Sequence, residues 1–61
     1  MTARERASWD CYLATGSYRA AAKRLGVHPD TIQRHIALLR AEYRVKTNAQ
    51  LAVALAREGV A

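Results

Sequence analysis

Hydrophobic and polar positions repeat with the period of an α-helix in four segments of the chain. The first segment begins with a capping box of Thr2 and Glu5 and ends at about Ala14, before Gly16. Its apolar residues share one face, which we expect to lie inward: Trp9, Tyr12 and Leu13. No segment has the strict alternation of a strand, so the pattern predicts an all-α, four-helix fold.

The second and third predicted helices are separated by a glycine turn. Ser17 can cap the second helix, and Gly26 can take the left-handed conformation that ends it. One surface of this helix is formed mainly by small residues, which let a neighbouring helix approach closely: Ala20, Ala21, Ala22 and Leu25. Pro29 suits the first position of the third helix. Two short helices around such a turn are typical of a helix-turn-helix.

The third helix, predicted over about residues 29–43, has two contrasting faces. Its expected core stripe consists of Ile32, Ile36, Leu39 and Tyr43. The opposite face carries one carboxylate and consists of Asp30, Gln33, Arg34, Ala37, Arg40, Ala41 and Arg44. A solvated helix surface would also be polar. The adjoining glycine turn and the scarcity of acids favour a surface that contacts DNA.

Three residues of this outer face have the chemistry that base edges require. Gln33 suits adenine, Arg34 suits guanine or phosphate, and Ala37 can touch a thymine methyl while keeping the backbone close to the bases. Arg40 and Arg44 lie further along and are better placed for phosphates. We therefore expect the third helix to enter the major groove.

The fourth predicted helix, over about residues 48–58, begins with a capping box of Thr47 and Gln50 and is apolar on all sides over residues 51–56. One face suits the core and another a second copy of the chain. The expected homodimer interface is Leu51, Ala52 and Leu55, with Leu51 and Leu55 on one stripe and Ala52, Val53 and Ala56 on another. The alternative is that the alanines are surface residues that favour helix formation.

The charge distribution favours an anionic partner. The 61 residues, enough for a single domain over 1–61, carry a formal charge of +5. Residues 19–46 contain seven bases and two acids, so the whole excess lies on and around the helix-turn-helix. A solvated basic face without a partner is the alternative.

Other functional classes find little support in the residues. Cys11 stands alone and is expected to be a buried, inert thiol, and neither His28 nor His35 has the spacing of a metal site. His35, at the edge of the core stripe, suits a helix-orienting hydrogen bond or a phosphate contact. We expect no enzyme, no cofactor, no metal, no small-molecule ligand and no membrane span. The prediction is a cytoplasmic, nucleoid-associated protein of a prokaryote or phage.

The chain resembles the LuxR/GerE type of helix-turn-helix domain over nearly its whole length. The matching residues are Thr2, Arg4, Glu5, Arg6, Ala22, Arg24, Leu25, Thr31, Ile32, His35, Ile36, Val45, Gln50, Gly59 and Val60. The resemblance implies base contacts from Gln33, Arg34 and Ala37, and dimer contacts through the fourth helix. It also implies phosphate contacts from Thr31, Lys46 and Asn48.

The chain departs from the family pattern at four places. His28 stands where the family has a capping serine, Arg44 where it has a glycine, and Thr15 where the first interhelical glycine is usual. Residues 47–50 read Thr-Asn-Ala-Gln where the family usually has Asn-Arg-Thr-Gln. The combined expectation is a transcription regulator that binds double-stranded DNA sequence-specifically, as a homodimer on half-sites about 10 bp apart. The alternatives are a protein-interaction adaptor or anti-activator, and a protein that coats DNA regardless of sequence.

Overall fold

The computed structural model describes residues 2–58, which form four helices: α1 (Ala3–Thr15), α2 (Tyr18–Leu25), α3 (Pro29–Glu42) and α4 (Asn48–Arg57). No strand occurs in this part of the chain. The prediction of an all-α, four-helix architecture is confirmed. Gly59 and Val60, which belong to the family resemblance, lie outside the described residues.

Local hydrogen bonds fix the starts of α1 and α4. The backbone N–H of Glu5 donates to Thr2 Oγ1 over 3.2 Å, while Thr2 N–H donates to Glu5 Oε1 over 2.8 Å. Gln50 and Thr47 make the equivalent pair at 3.1 and 3.3 Å. Both predicted capping boxes are confirmed, and each satisfies backbone donors that a helix start would otherwise leave without partners.

Helix α3 is capped by an imidazole. His28 has extended backbone angles, and its Nδ1 accepts a hydrogen bond from the backbone N–H of Asp30 over 3.1 Å. Pro29 occupies the first helical turn, where its missing N–H costs nothing. His28 is thus the N-cap residue of α3 and satisfies one of its free backbone donors.

Helices α2 and α3 end in the same backbone motif with different residues. The N–H of Val27 donates to Ala22 O, and the N–H of Val45 donates to Arg40 O, each over 3.0 Å. These bonds are typical of a Schellman motif, which needs a left-handed residue just before the donor. Gly26 supplies it after α2 with φ 70°, and Arg44 supplies it after α3 with φ 57°.

The left-handed turn at Arg44 corrects one expectation about α3. The helix ends at Glu42, so Arg44 does not follow the helical period that assigned it to the outer face. Its conformation is one that glycine adopts without steric cost. The left-handed residue at the end of α3 is therefore an arginine, and the turn is intact.

The four helices share one hydrophobic core. Helices α1, α2 and α3 pack against one another, and α4 packs against α3. The buried apolar residues are Trp9, Ala21, Ala22, Ile32, Ile36, Leu39, Leu51 and Leu55. The predicted α3 stripe is confirmed for its two isoleucines and Leu39, whereas Tyr43 is only half-buried. The core therefore lies along the inner side of α3.

Several burial expectations for α1 and α2 are wrong. Leu13 is 57% exposed, because Trp9 and the buried Ser8 define the inner face of α1 and Leu13 lies beyond its edge. Cys11 is only half-buried. On α2, Ala21 and Ala22 form the close-packing surface, while Ala20 and Leu25 are exposed.

The dimer residues predicted on α4 need correction. Leu51 is 0% exposed and Leu55 is 6% exposed, so both pack into the core of their own chain and have no surface to offer a second copy. Ala52 is half-buried, and Val53 is 53% exposed. The outward surface of α4 is thus its alanine and valine stripe. None of the described helices is long and apolar enough to cross a bilayer.

Candidate nucleic-acid interface

An open groove of about 480 Å³ runs along the outer face of α3, and we call it the α3 groove. It is lined by Tyr18, Asp30, Gln33, Arg34, Ala37 and Arg40. The three residues predicted to contact bases, Gln33, Arg34 and Ala37, are all exposed here. The structure brings them together because the regular helix from Pro29 to Glu42 repeats its side chains on one face.

The two arginines of the α3 groove have no carboxylate partner in the described part of the chain. Neither Arg34 nor Arg40 forms an ion pair with a carboxylate among residues 2–58. Asp30 is the one acid of the groove, and it lies at the start of α3, where the helix dipole favours a negative charge. Both guanidinium groups could therefore pair with an anionic ligand.

A chain of hydrogen bonds joins three helices at the edge of the groove. Arg40 Nη1 on α3 donates to Asn48 Oδ1 on α4. Asn48 Nδ2 in turn donates to the hydroxyl oxygen of Tyr18 on α2 over 2.9 Å. Arg40 and Asn48, both predicted to contact phosphate, thus lie together and are bonded to each other.

The ring of Tyr18 is held by an aromatic stack. It is stacked on the ring of Tyr12, with ring centroids 4.8 Å apart and an interplanar angle of 21°. The ring of Tyr12 also packs near the buried Trp9, with ring centroids 5.9 Å apart. Because the stack begins in the core, it fixes the position of the Tyr18 hydroxyl at the groove.

Sequence reasoning missed Tyr18 as a member of this site. It is 30 residues away from Asn48 along the chain, so no local spacing links the two. The available signal was a tyrosine, an apolar ring with a polar tip, at the first position of a helix in the most basic part of the chain. That signal alone does not identify a partner for the hydroxyl.

Thr31 lies on the opposite flank of α3 from the hydrogen bonds of Arg40, Asn48 and Tyr18. It lines a second groove of about 430 Å³ together with Arg4, Ala7, Ser8, Leu25, Val27 and His35. Ser8 Oγ and His35 Nδ1 are 2.7 Å apart there, which ties α1 to α3. The expected helix-orienting hydrogen bond of His35 is therefore present. Thr31 itself is half-buried and does not line the α3 groove.

The remaining predicted phosphate contacts lie beyond the end of α3. Lys46 is exposed in the connection to α4, and its backbone N–H donates to Gln50 Oε1 over 2.8 Å. Arg44 is exposed and lines a third groove of about 350 Å³, against Val53 and Arg57 of α4. The structure thus groups Arg44 with the outer surface of α4 and not with the α3 groove.

Two further findings bear on the site. Within residues 2–58, no three His, Cys, Asp or Glu side chains lie together in a way that could hold a metal ion. Comparison with protein-family models, with curated proteins and with solved structures finds no match to this chain.

Proposed function

We propose that this protein is a transcription regulator that binds double-stranded DNA sequence-specifically, with α3 in the major groove and with a helix-turn-helix of the LuxR/GerE type. The observation that carries the proposal is the α3 groove, where Gln33, Arg34 and Ala37 are exposed side by side. Their side chains suit adenine, guanine and the thymine methyl, respectively. The major groove, about 12 Å wide, admits an α-helix.

The flanks of α3 support this orientation. Arg40 lies on one flank beside Tyr18, and Thr31 lies on the other beside Arg4. A helix inserted in the major groove has a phosphate strand on each side, so donors on both flanks are what such a position requires. The net charge of +5 adds an attraction that does not depend on sequence.

The proposal includes a homodimer that contacts two half-sites about 10 bp apart. Its interface is the outward stripe of α4, with Ala52, Val53 and Ala56, because Leu51 and Leu55 belong to the core. Sedimentation equilibrium is expected to show dimers at high protein concentration. Monomers alone at every concentration would remove the dimer from the proposal and leave the DNA contacts untouched. The protein would act on the nucleoid in the cytoplasm.

The deciding experiment is selection of bound sequences from random duplex DNA, repeated at two salt concentrations. We expect a recurrent, two-fold symmetric sequence, and affinity that falls as salt rises, with a slope set by the number of phosphates engaged. Equal enrichment of all sequences would replace the proposal with sequence-independent coating of DNA. Absence of binding even at low salt would instead favour the adaptor hypothesis.

A further inference from the structure

The hydrogen-bond chain at the edge of the α3 groove has a direction. A guanidinium group only donates hydrogen bonds, so the atom of Asn48 that faces Arg40 must be its oxygen. The amide nitrogen of Asn48 then faces Tyr18 and donates to the hydroxyl oxygen. The chain of donors therefore runs from Arg40 through Asn48 to Tyr18.

This direction leaves the Tyr18 hydroxyl as a donor. Its oxygen already accepts from Asn48, so its proton must go to a different acceptor. No residue among 2–58 accepts that proton. The stack on Tyr12 holds the ring in place, so the donor remains at the rim of the α3 groove.

We propose that the Tyr18 hydroxyl donates a hydrogen bond to a phosphate oxygen of DNA bound in the α3 groove. Asn48 then acts as a positioning residue, which orients Arg40 and Tyr18 without contacting DNA itself. This inference rests on the function proposed above and adds to it a contact from α2.

Two features favour a phosphate over a base as the acceptor. Tyr18 belongs to α2 and lies beside α3, which is where the sugar–phosphate strand passes when α3 is in the major groove. The guanidinium of Arg40 is bonded to the same carboxamide, and its positive charge attracts an anion to that place. A hydroxyl that donates to a phosphate complements this charge without adding to it.

The test compares the unchanged protein with Tyr18→Phe, which keeps the stacked ring and removes only the hydroxyl. The affinity of Tyr18→Phe for the selected duplex is expected to fall about tenfold, since a hydrogen bond to a charged group is lost. The sequence preference and the salt dependence should stay the same, because no base contact and no charge is removed. Tyr43→Phe is the matched control, as it deletes a hydroxyl remote from the α3 groove and should bind like the unchanged protein.

A second measurement separates a phosphate contact from a structural role. Single phosphates of the duplex are replaced in turn by neutral methylphosphonate, and both proteins are titrated with each duplex. At one phosphate per half-site the unchanged protein should lose affinity while Tyr18→Phe loses much less. A uniform loss by Tyr18→Phe on every duplex would mean that the hydroxyl serves the fold and would overturn the inference.

The outcomes also distinguish this inference from the proposed function. Binding by Tyr18→Phe within twofold of the unchanged protein would overturn the tyrosine contact and leave sequence-specific DNA binding intact. Failure of the unchanged protein to bind any duplex would overturn both. Circular dichroism of each variant checks that the helices are retained.

Discussion

The two faces of α3 differ in almost every property although they share one backbone and one pair of caps. On the inner face Ile32, Ile36 and Leu39 are each 0% exposed. On the outer face Gln33 and Arg34 are exposed along an open groove. The inner face determines whether α3 is held in place, and the outer face determines what it can contact. Stability and ligand binding should therefore respond to different substitutions on the same helix.

The largest expected effect is on the inner face. Ile36→Ala removes a fully buried side chain and should lower the free energy of unfolding by about 2–5 kcal/mol, from lost burial and the cavity left behind. Urea denaturation followed by circular dichroism measures it. Leu38→Ala is the matched control on the outer side, since Leu38 is 52% exposed, and should change stability by less than about 0.5 kcal/mol. Equal losses from the two variants would contradict the assignment of faces.

Substitutions on the outer face should weaken DNA binding and leave the stability of the protein nearly unchanged. Arg34→Ala is expected to cost about 1–3 kcal/mol of binding free energy on the selected sequence and to relax the preference at one base position. Its stability should stay within about 0.5 kcal/mol of the unchanged protein. Fluorescence anisotropy with the selected duplex and a scrambled one provides the measurement.

Two basic residues outside the groove give the controls for Arg34. Lys46→Ala should weaken binding to both duplexes alike and reduce the salt slope by about 1, as expected for a phosphate contact. Arg57→Ala removes the same charge from α4, away from the α3 groove, and should preserve the preference between duplexes. If Arg34→Ala lost affinity equally on both duplexes, Arg34 would not read sequence.

A smaller effect on stability is expected at Arg44, where α3 and its outer face end. Arg44→Gly should raise the free energy of unfolding by about 0.5–1 kcal/mol, because glycine adopts the φ of 57° without steric cost, partly offset by its freer unfolded chain. Arg44→Ala removes the same side chain but keeps the steric cost, so it should lack this gain. Chemical denaturation of the two variants isolates the backbone contribution, and an equal stability for both would disprove it.

The smallest effect concerns Tyr43, which lies between the two faces. Its hydroxyl donates to Glu58 Oε2 over 2.8 Å, and this hydrogen bond, with lesser contributions from burial and from the negative charges of Glu58 and Glu42, raises the pKa of the phenol above 10.0. The folded pKa thus exceeds the unfolded one. The associated stabilisation is complete below about pH 10 and is lost as pH rises through the folded pKa.

Tyr43→Phe is the comparison that detects this titration. Thermal melts from about pH 8 to about pH 11 should show the unchanged protein losing stability relative to Tyr43→Phe as the pH rises, since every other titrating group is common to both. A constant difference between the two proteins across that range would show that the hydrogen bond to Glu58 does not act on folding.

Sequence patterns correctly predicted the features that depend on residues within one or two helical turns of each other. The capping boxes at Thr2 and Thr47 and the turn at Gly26 follow from contacts within about five residues, and the structure contains all of them. The same holds for the side chains of Gln33 and Arg34, which share a face because α3 is regular. Arg44 failed the same reasoning because the helical period was extended beyond the helix end.

What the sequence by itself determined is therefore the four helices, the capping boxes of α1 and α4 and the two faces of α3. Only the tertiary structure decided which apolar residues of α1 and α4 are buried, since Leu13 turned outward and Leu51 and Leu55 turned inward. It also brought Tyr18 and Asn48 together across 30 residues. Helix formation depends on hydrogen bonds and side-chain contacts between near neighbours, whereas burial and long-range polar contacts depend on how whole helices are placed against one another.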